Sequence, residues 1–344
     1  MKAVLKLAIV AAAFFVFVVA LETIKTSARG ISPVLHMIHV EGVWNLFGLG
    51  WIMAYAVLSG SPIAAVALSL YGAGSINDVE ALGMIAGSRF GASFVVLLVG
   101  AIHYLRGQRK IITVATGVLA LLTTWTIYAP ATFGGYLLLV TGSLDRFRFQ
   151  APGAFVSFLD VTVKPLVALF ASWLHPTILF VAGVSLLLGA FKTFDRALPE
   201  INPQHGRFKR IADIVYRPKV MFLLGVAITC VTLSVSVSVG ILVPLSAKGY
   251  VRRENVIPYV MGANISTFID TLFASLLVGE PRAFTVVLAE MLSVGTISLL
   301  VVFLFYRPYS RALEAILERI TGNRTAFIVF LSITMAMPLI FLMM

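Results

Sequence analysis

Apolar runs long enough to cross a bilayer alternate along this chain with apolar runs broken by glycine, proline and serine. Residues 3–21 are continuously apolar behind Lys2. About 20 apolar residues make one helical span, so 3–21 predicts a retained span; a signal peptide ending near Ser27-Ala28 is the rival reading. Residues 22–42 are mixed and contain His36 and His39. From Trp44 to Tyr71 the chain is apolar but interrupted by Gly48, Gly50, Gly60 and Pro62, which predicts two half-helices rather than one span. Spans are expected at 81–105, broken at Gly87, and at 111–129. Between Pro130 and Pro176 the apolar pieces are 134–142 and 154–171, with Asp145, Arg146, Arg148 and Lys164 between or inside them. A span at about 175–191 follows, then a second interrupted run at 218–247 and spans at 255–278, broken at Gly262, and 283–306. Residues 307–323 predict an amphipathic surface helix, with Arg307, Arg311, Glu314, Glu318 and Arg319 opposed to Leu313, Ile316, Leu317 and Ile320. A last span is expected at 325–343.

The two interrupted runs are related. A gapless shift of 175 residues pairs Leu58 with Leu233, Ser59 with Ser234, Ser61 with Ser236, Leu70 with Leu245, Gly74 with Gly249 and Gly87 with Gly262. The order carries the signal: paired serines, a short apolar run, a glycine, then a second glycine opening a polar patch. An internal repeat changes the whole fold reading.

Loop charges indicate how the copies are oriented. The loop 192–217 holds six Lys/Arg and 248–254 holds three, whereas the matching 22–42 holds Lys25 and Arg29 and 72–80 holds none. At the next loop the bias reverses, with Arg106, Arg109 and Lys110 against Arg282 alone. Basic loops lie in the cytoplasm, so equivalent loops fall on opposite sides. The expected fold is an all-α polytopic membrane protein of two inverted-topology repeats, each with a re-entrant helical hairpin and broken helices. Repeat 1 spans 1–129 with its hairpin at 44–71, and 130–174 connects. Repeat 2 spans 175–306 with its hairpin at 218–247, and 307–344 adds the amphipathic helix and a final span. The connector must then cross an even number of times.

Composition agrees. Hydrophobic residues make up 60% and charged residues 12%, with a mean hydropathy of +0.99. The net charge of +11 reads as cytoplasmic loop charge rather than nucleic-acid binding. The single cysteine, Cys230, excludes disulfides and cysteine-based metal sites. His36 and His39 stand three apart with no further ligand nearby and read as interfacial. No phosphate-binding glycine loop, Ser/His/Asp arrangement or zinc spacing occurs, so no enzyme and no cofactor is expected.

The candidate chemistry lies at the helix breaks. Ser59 and Ser61 sit near the first hairpin tip, and Ser234, Ser236 and Ser238 near the second. Freed carbonyls and hydroxyls at such breaks offer hard oxygens to sodium, and half-helix N-termini suit anions. In the second copy Asn264, Thr267 and Thr271 lie about one turn apart on one side of a helix. Arg89 stands where that copy has Asn264. It serves to bind an anion or to neutralise an intramembrane acid such as Asp270 or Glu290, both functional candidates by default, or it snorkels.

The second copy resembles the repeat of the type II sodium/phosphate cotransporters. That family carries a Gln-Ser-Ser-Ser motif and, nearly thirty residues later, a Gly-Ser/Ala-Asn-Ile-Gly-Thr motif. Leu233-Ser234-Val235-Ser236 occupies the first and Gly262-Ala263-Asn264-Ile265-Ser266-Thr267 the second, with Pro244, Leu245, Gly249, Glu254 and Pro258 similarly spaced between them. In copy one, Leu58-Ser59-Gly60-Ser61 and Gly87-Ser88-Arg89-Phe90-Gly91 correspond. The resemblance implies a sodium-driven importer of inorganic phosphate, with Ser59, Ser61, Ser234, Ser236, Asn264 and Thr267 facing one central site; the short loops, without features of a glycosylated ectodomain, point to the plasma (inner) membrane. Sodium is expected at Ser59, Ser234, Ser236, Asn264 and Thr267; the anion and the lipid bilayer are the expected partners. Leucine replaces the glutamine in both copies, and Arg89 replaces one asparagine. Two alternatives therefore stay open: a proton-coupled carrier of another, organic anion, and a non-transporting membrane binding or assembly protein on the same scaffold.

Overall fold

The protein is described by a computed structural model over residues 2–37, 41–103, 111–147, 149, 151–197, 217–247 and 251–344. Among these residues every regular element is helical, and eight stretches are long and apolar enough to cross a membrane. The chain is an all-α polytopic membrane protein. The basic stretches 104–110, 198–216 and 248–250, His39, and the side chains of His36 and Ser236 lie outside the described residues.

The same succession of helices and breaks occurs twice, 175 residues apart. Helix α1 is Lys2–Met37; α2, Val43–Val57, and α3, Ser61–Gly72, form the first interrupted run. Next come α4, Asp78–Ala92, α5, Phe94–His103, and α6, Ile111–Val140. After α7, Gly153–Phe158, and α8, Lys164–Ala171, the series restarts with α9, Pro176–Ala197. The second interrupted run is α10, Pro218–Thr232, α11, Val235–Gly240, and α12, Leu242–Ala247. Helices α13, Arg253–Ser266, α14, Phe268–Leu277, and α15, Pro281–Leu300, follow. Last are α16, Tyr306–Thr321, and α17, Arg324–Leu342.

Both interrupted runs turn on a leucine in the left-handed region, Leu58 at φ 57° and Leu233 at φ 48°. No other non-glycine residue among those described has positive φ. The conformation costs an L-residue roughly 1–2 kcal/mol, so its occurrence at both equivalent positions marks a local constraint. Pro62 in the first turn of α3, and the Ser234 hydroxyl accepting from the Val237 N–H at 3.3 Å, start the outgoing helices.

Glycine sets the helix spacing in each copy. A Cβ at Gly87 would lie 2.0 Å from the Phe47 carbonyl oxygen, and one at Gly50 2.2 Å from that of Met84. The mates repeat this contact, Gly262 on the Phe222 oxygen at 2.1 Å and Gly225 on the Tyr259 oxygen at 2.1 Å. Backbones therefore touch where side chains would hold them apart. Gly87 and Gly262 do not break their helices, as the sequence suggested. The interruptions fall at Ser93 and Thr267, six and five residues further on.

Helices α1 and α9 pack antiparallel: Gly30 meets Pro176, Ile24 meets Gly183, and Phe17 meets Phe191 at 5.5 Å. Helices α6 and α15–α16 also run oppositely, with Thr132 beside Glu290 and Thr126 beside Tyr309.

Three boundaries differ from expectation. Helix α1 continues through the mixed stretch 22–37, where Thr23 and Ser27 turn their hydroxyls back onto Val19 and Thr23 carbonyls. Helix α6 passes through Pro130 to Val140, so the first part of the supposed connector belongs to it. The back-bonds Thr126 to Leu122 and Thr132 to Tyr128 flank that proline, as neighbouring hydroxyls do for prolines in membrane helices. The predicted surface helix is not separate either. It continues from α15 through the π-helical residues Val301–Phe305, burying Leu313 and Leu317 while Arg307, Arg311, Glu318 and Arg319 stay exposed. Helix α17 packs on α2, where the Asn45 amide donates to the Leu342 carbonyl at 2.9 Å and Tyr55 to that of Thr334 at 2.9 Å.

Candidate functional site

The breaks of both interrupted runs, and the interruptions between α4 and α5 and between α13 and α14, meet at one small polar cavity. Ser59, Gly60 and Ser61 line it from the first tip, Ser234 and Val235 from the second, Arg89 and Ser93 from α4 and its end, and Asn264 and Thr267 from α13 and its end. Tyr128 of α6 closes the wall. The cavity measures about 20 Å³, room for about one water molecule.

Arg89 dominates it. The residue is 4% exposed, and Nη1 donates to Ser61 Oγ at 3.4 Å and to Thr267 Oγ1 at 3.2 Å, while Nη2 donates to Thr271 Oγ1. The guanidinium carbon stands 4.9 Å from the centre of the Phe268 ring, and Nε has no partner. A guanidinium has five N–H donors, so this one is incompletely used and held entirely by neutral groups. Among the described residues no carboxylate lies within ion-pair distance of it. Of the two roles open to Arg89, direct pairing with Asp270 or Glu290 is therefore absent. Asp270 is linked through a hydroxyl instead, its Oδ1 accepting from Thr271 Oγ1 at 2.9 Å while Oδ2 is buried without a partner.

On the opposite wall the Asn264 amide donates to Thr124 Oγ1 at 3.1 Å, and Tyr128 Oη donates to the Asn264 carbonyl at 3.1 Å. These bonds join the second copy's patch to α6.

The sequence-derived set divides accordingly. Ser59, Ser61, Ser234, Asn264, Thr267 and Arg89 share the cavity. Ser238 does not. It accepts from Thr229 Oγ1 at 2.7 Å and pairs with Tyr259 Oη at 2.9 Å, while Tyr259 Oη also donates to the Ser238 carbonyl at 3.1 Å. Every proton of that cluster is used, so Ser238 pins α11 to α10 and α13 rather than facing a ligand. Asp270 lies in the wall of a neighbouring apolar chamber of about 710 Å³, among Phe14, Phe17, Phe191, Phe194 and Leu233.

Tyr128, Ser93 and Thr124 were not foreseen. A phenol or hydroxyl inside an apolar run carries no signal distinguishing a cavity wall from a lipid-facing or back-bonded position. Glu290, fully buried, lies outside the cavity and bonds Thr132. Compared with protein-family profiles, curated proteins and solved structures, the chain matches none. The chemistry of the site therefore rests on its own geometry.

Proposed function

We propose that the chain is a secondary active carrier moving a small, phosphate-like oxyanion across the plasma membrane by alternating access at the cavity between its hairpin tips. One observation carries this reading: both tips and both mid-span interruptions converge on a buried arginine that has no carboxylate partner. A guanidinium held by hydroxyls can exchange them for anion oxygens without stranding a carboxylate, and its planar donors match such oxygens bidentately. At about 20 Å³ the cavity is too small for a tetrahedral oxyanion, so an anion enters only when its walls move.

The antiparallel packing of α1 on its mate α9, and the matched glycine contacts, support two inverted repeats with re-entrant hairpins at 43–72 and 218–247. Such a build is usual for secondary transporters. The resemblance to sodium/phosphate cotransporters makes sodium the first coupling ion to test, with Ser59, Ser234, Asn264 and Thr267 as its oxygen donors. Uptake of phosphate, sulfate and arsenate into proteoliposomes, with imposed sodium or proton gradients, tests the reading. Saturable uptake of one oxyanion driven by a cation gradient is expected. No uptake under any gradient, from protein whose folding is verified, would overturn it and favour a non-transporting scaffold.

A second reading is an organic anion with proton coupling. Its motive is the apolar chamber beside the polar cavity, walled by Asp270 with one unpartnered carboxyl oxygen. Competition by carboxylates with apolar tails, and not by phosphate, would select it.

A further inference from the structure

Among the described residues Glu290 is the most deeply buried acid, 0% exposed, on the face of α15 that meets α6. Its Oε1 lies 2.9 Å from Thr132 Oγ1, and that same Oγ1 lies 2.9 Å from the Tyr128 carbonyl. Oε2 has no partner and packs against bare backbone, 2.8 Å from where a Cβ of Gly135 would stand. A threonine hydroxyl has one proton. Were Glu290 ionised, that proton would be shared with the Tyr128 carbonyl or drawn away from it to Glu290, and Oε2 would remain a bare buried anionic oxygen. With a proton on Oε1, both contacts are ordinary hydrogen bonds. Glu290 donates to Thr132 Oγ1, and Thr132 donates to the Tyr128 carbonyl.

Among the described residues no cation touches Glu290, and Arg89 acts on it only through space. Helix α6 carries no charged residue from Val114 to Val140, and α3 carries none. On α4, Arg89 is bound to Ser61, Thr267 and Thr271, and Glu80 accepts from the backbone of Asn77 and Gly42. Asp78 pairs with Arg282 at 3.4 Å, eight residues before Glu290. Asp270 on α14 adds only negative charge, and Tyr128 is committed to the Asn264 carbonyl. Arg253 and Glu254 sit at the start of α13, more than two turns before Asn264. A fully buried carboxyl with no cation in contact and one oxygen unpartnered meets its desolvation cost most simply by carrying a proton.

We propose that Glu290 holds a proton in this conformation and that the carrier releases and regains it in each cycle, making it the coupling-proton site. The proposal rests on the carrier reading. Its step is a plain proton transfer: the Oε1–H bond breaks, a proton leaves to the side on which the cavity opens, and the carboxylate is reprotonated from the other. Tyr128 lines the cavity one helical turn from Thr132, which gives substrate occupancy a short path to this acid.

Infrared titration of the purified protein tests the protonation without requiring transport. A carboxylic-acid C=O band is expected at neutral pH, absent in Glu290→Gln, retained in Asp270→Asn, and shifted in Thr132→Val, which removes the acceptor. Should Glu290→Gln fail to fold, the Thr132→Val shift carries the same test. A band unchanged in Glu290→Gln, or lost in Asp270→Asn instead, overturns the assignment. In proteoliposomes an inward proton gradient should speed wild-type uptake at least tenfold, and any uptake left in Glu290→Gln should ignore it. Wild-type uptake indifferent to the gradient, with the band present, makes the proton structural and removes the coupling role. Absence of all uptake with the band present means that the carrier reading itself has failed.

Discussion

Replacing Arg89 separates its charge from its geometry. The guanidinium donates to Ser61, Thr267 and Thr271 and covers the Phe268 ring. In Arg89→Lys the charge stays, but a single compact ammonium cannot span hydroxyls supplied by a hairpin tip and by two turns of the other copy. About two charge-assisted bonds are lost, each worth roughly 1.5 kcal/mol at the low end of its range. An anion that depends on a bidentate grip loses the same geometry. The sum, about 3 kcal/mol, corresponds to roughly a hundredfold weaker binding. Arg89→Met removes the one cation lining the cavity and should abolish saturable uptake. The assay is initial-rate uptake against oxyanion concentration in proteoliposomes, with thermal melts in detergent to verify folding. A half-saturation concentration for Arg89→Lys within threefold of wild type, in well-folded protein, would refute an anion site at this residue.

Three further outcomes follow from the fold. Gly87→Ala and Gly262→Ala each set a methyl about 2 Å from a carbonyl oxygen, so each should cost about 1–3 kcal/mol and lower the melting temperature. Gly295→Ala, where a Cβ meets nothing within 4 Å, should not. Single cysteines at the exposed positions Ser143 and His175, in a Cys230→Ser background, should react with impermeant reagent from the same side of the membrane. Labelling from opposite sides would mean that 153–171 crosses, and would end the inverted-repeat reading. Leu58→Gly relieves a left-handed leucine that is 39% exposed; relief of about 1 kcal/mol against a small loss of burial should raise the melting temperature, and a fall would show that Leu58 is anchored by packing.

The helix breaks at Leu58 and Leu233 were legible because glycine, proline and serine interrupt apolar runs there, and because the interruptions recur at a fixed offset. The same residues misled where they serve another purpose. Gly87 and Gly262 read as helix breaks, yet in an apolar environment a bare helix face is where another backbone docks, and the chain gives at Ser93 and Thr267 instead. Pro130 read as a boundary, although flanking threonine back-bonds carry α6 past it. The partners of Arg89 at the α13–α14 interruption and on α14, 178 and 182 residues away, leave no trace in local sequence. Ser238 shares its spacing with the cavity serines and differs only in having Tyr259 and Thr229 beside it.

Offset mates also show how a repeated scaffold acquires chemistry. Arg89 corresponds to Asn264, Asp270 to Val95, Glu290 to Ala115 and Tyr128 to Phe303. Each ionisable group near the centre therefore occurs in one copy only. Had both copies kept an arginine, two guanidinium groups would face each other across a cavity with room for about one water, and each would raise the cost of burying the other. The leucine turns and the glycine contacts recur at the 175-residue offset on both sides of the cavity. The unrepeated residues give it a sign, with positive charge at Arg89 and acids set behind Thr271 and Thr132. Exchanging Arg89 and Asn264 in one double variant separates these roles. If shape alone governs binding, the swapped protein should transport as wild type does. If Arg89 must reach Thr267 and Thr271 on the other copy while Asn264 meets Thr124, the swap should fold and fail to transport.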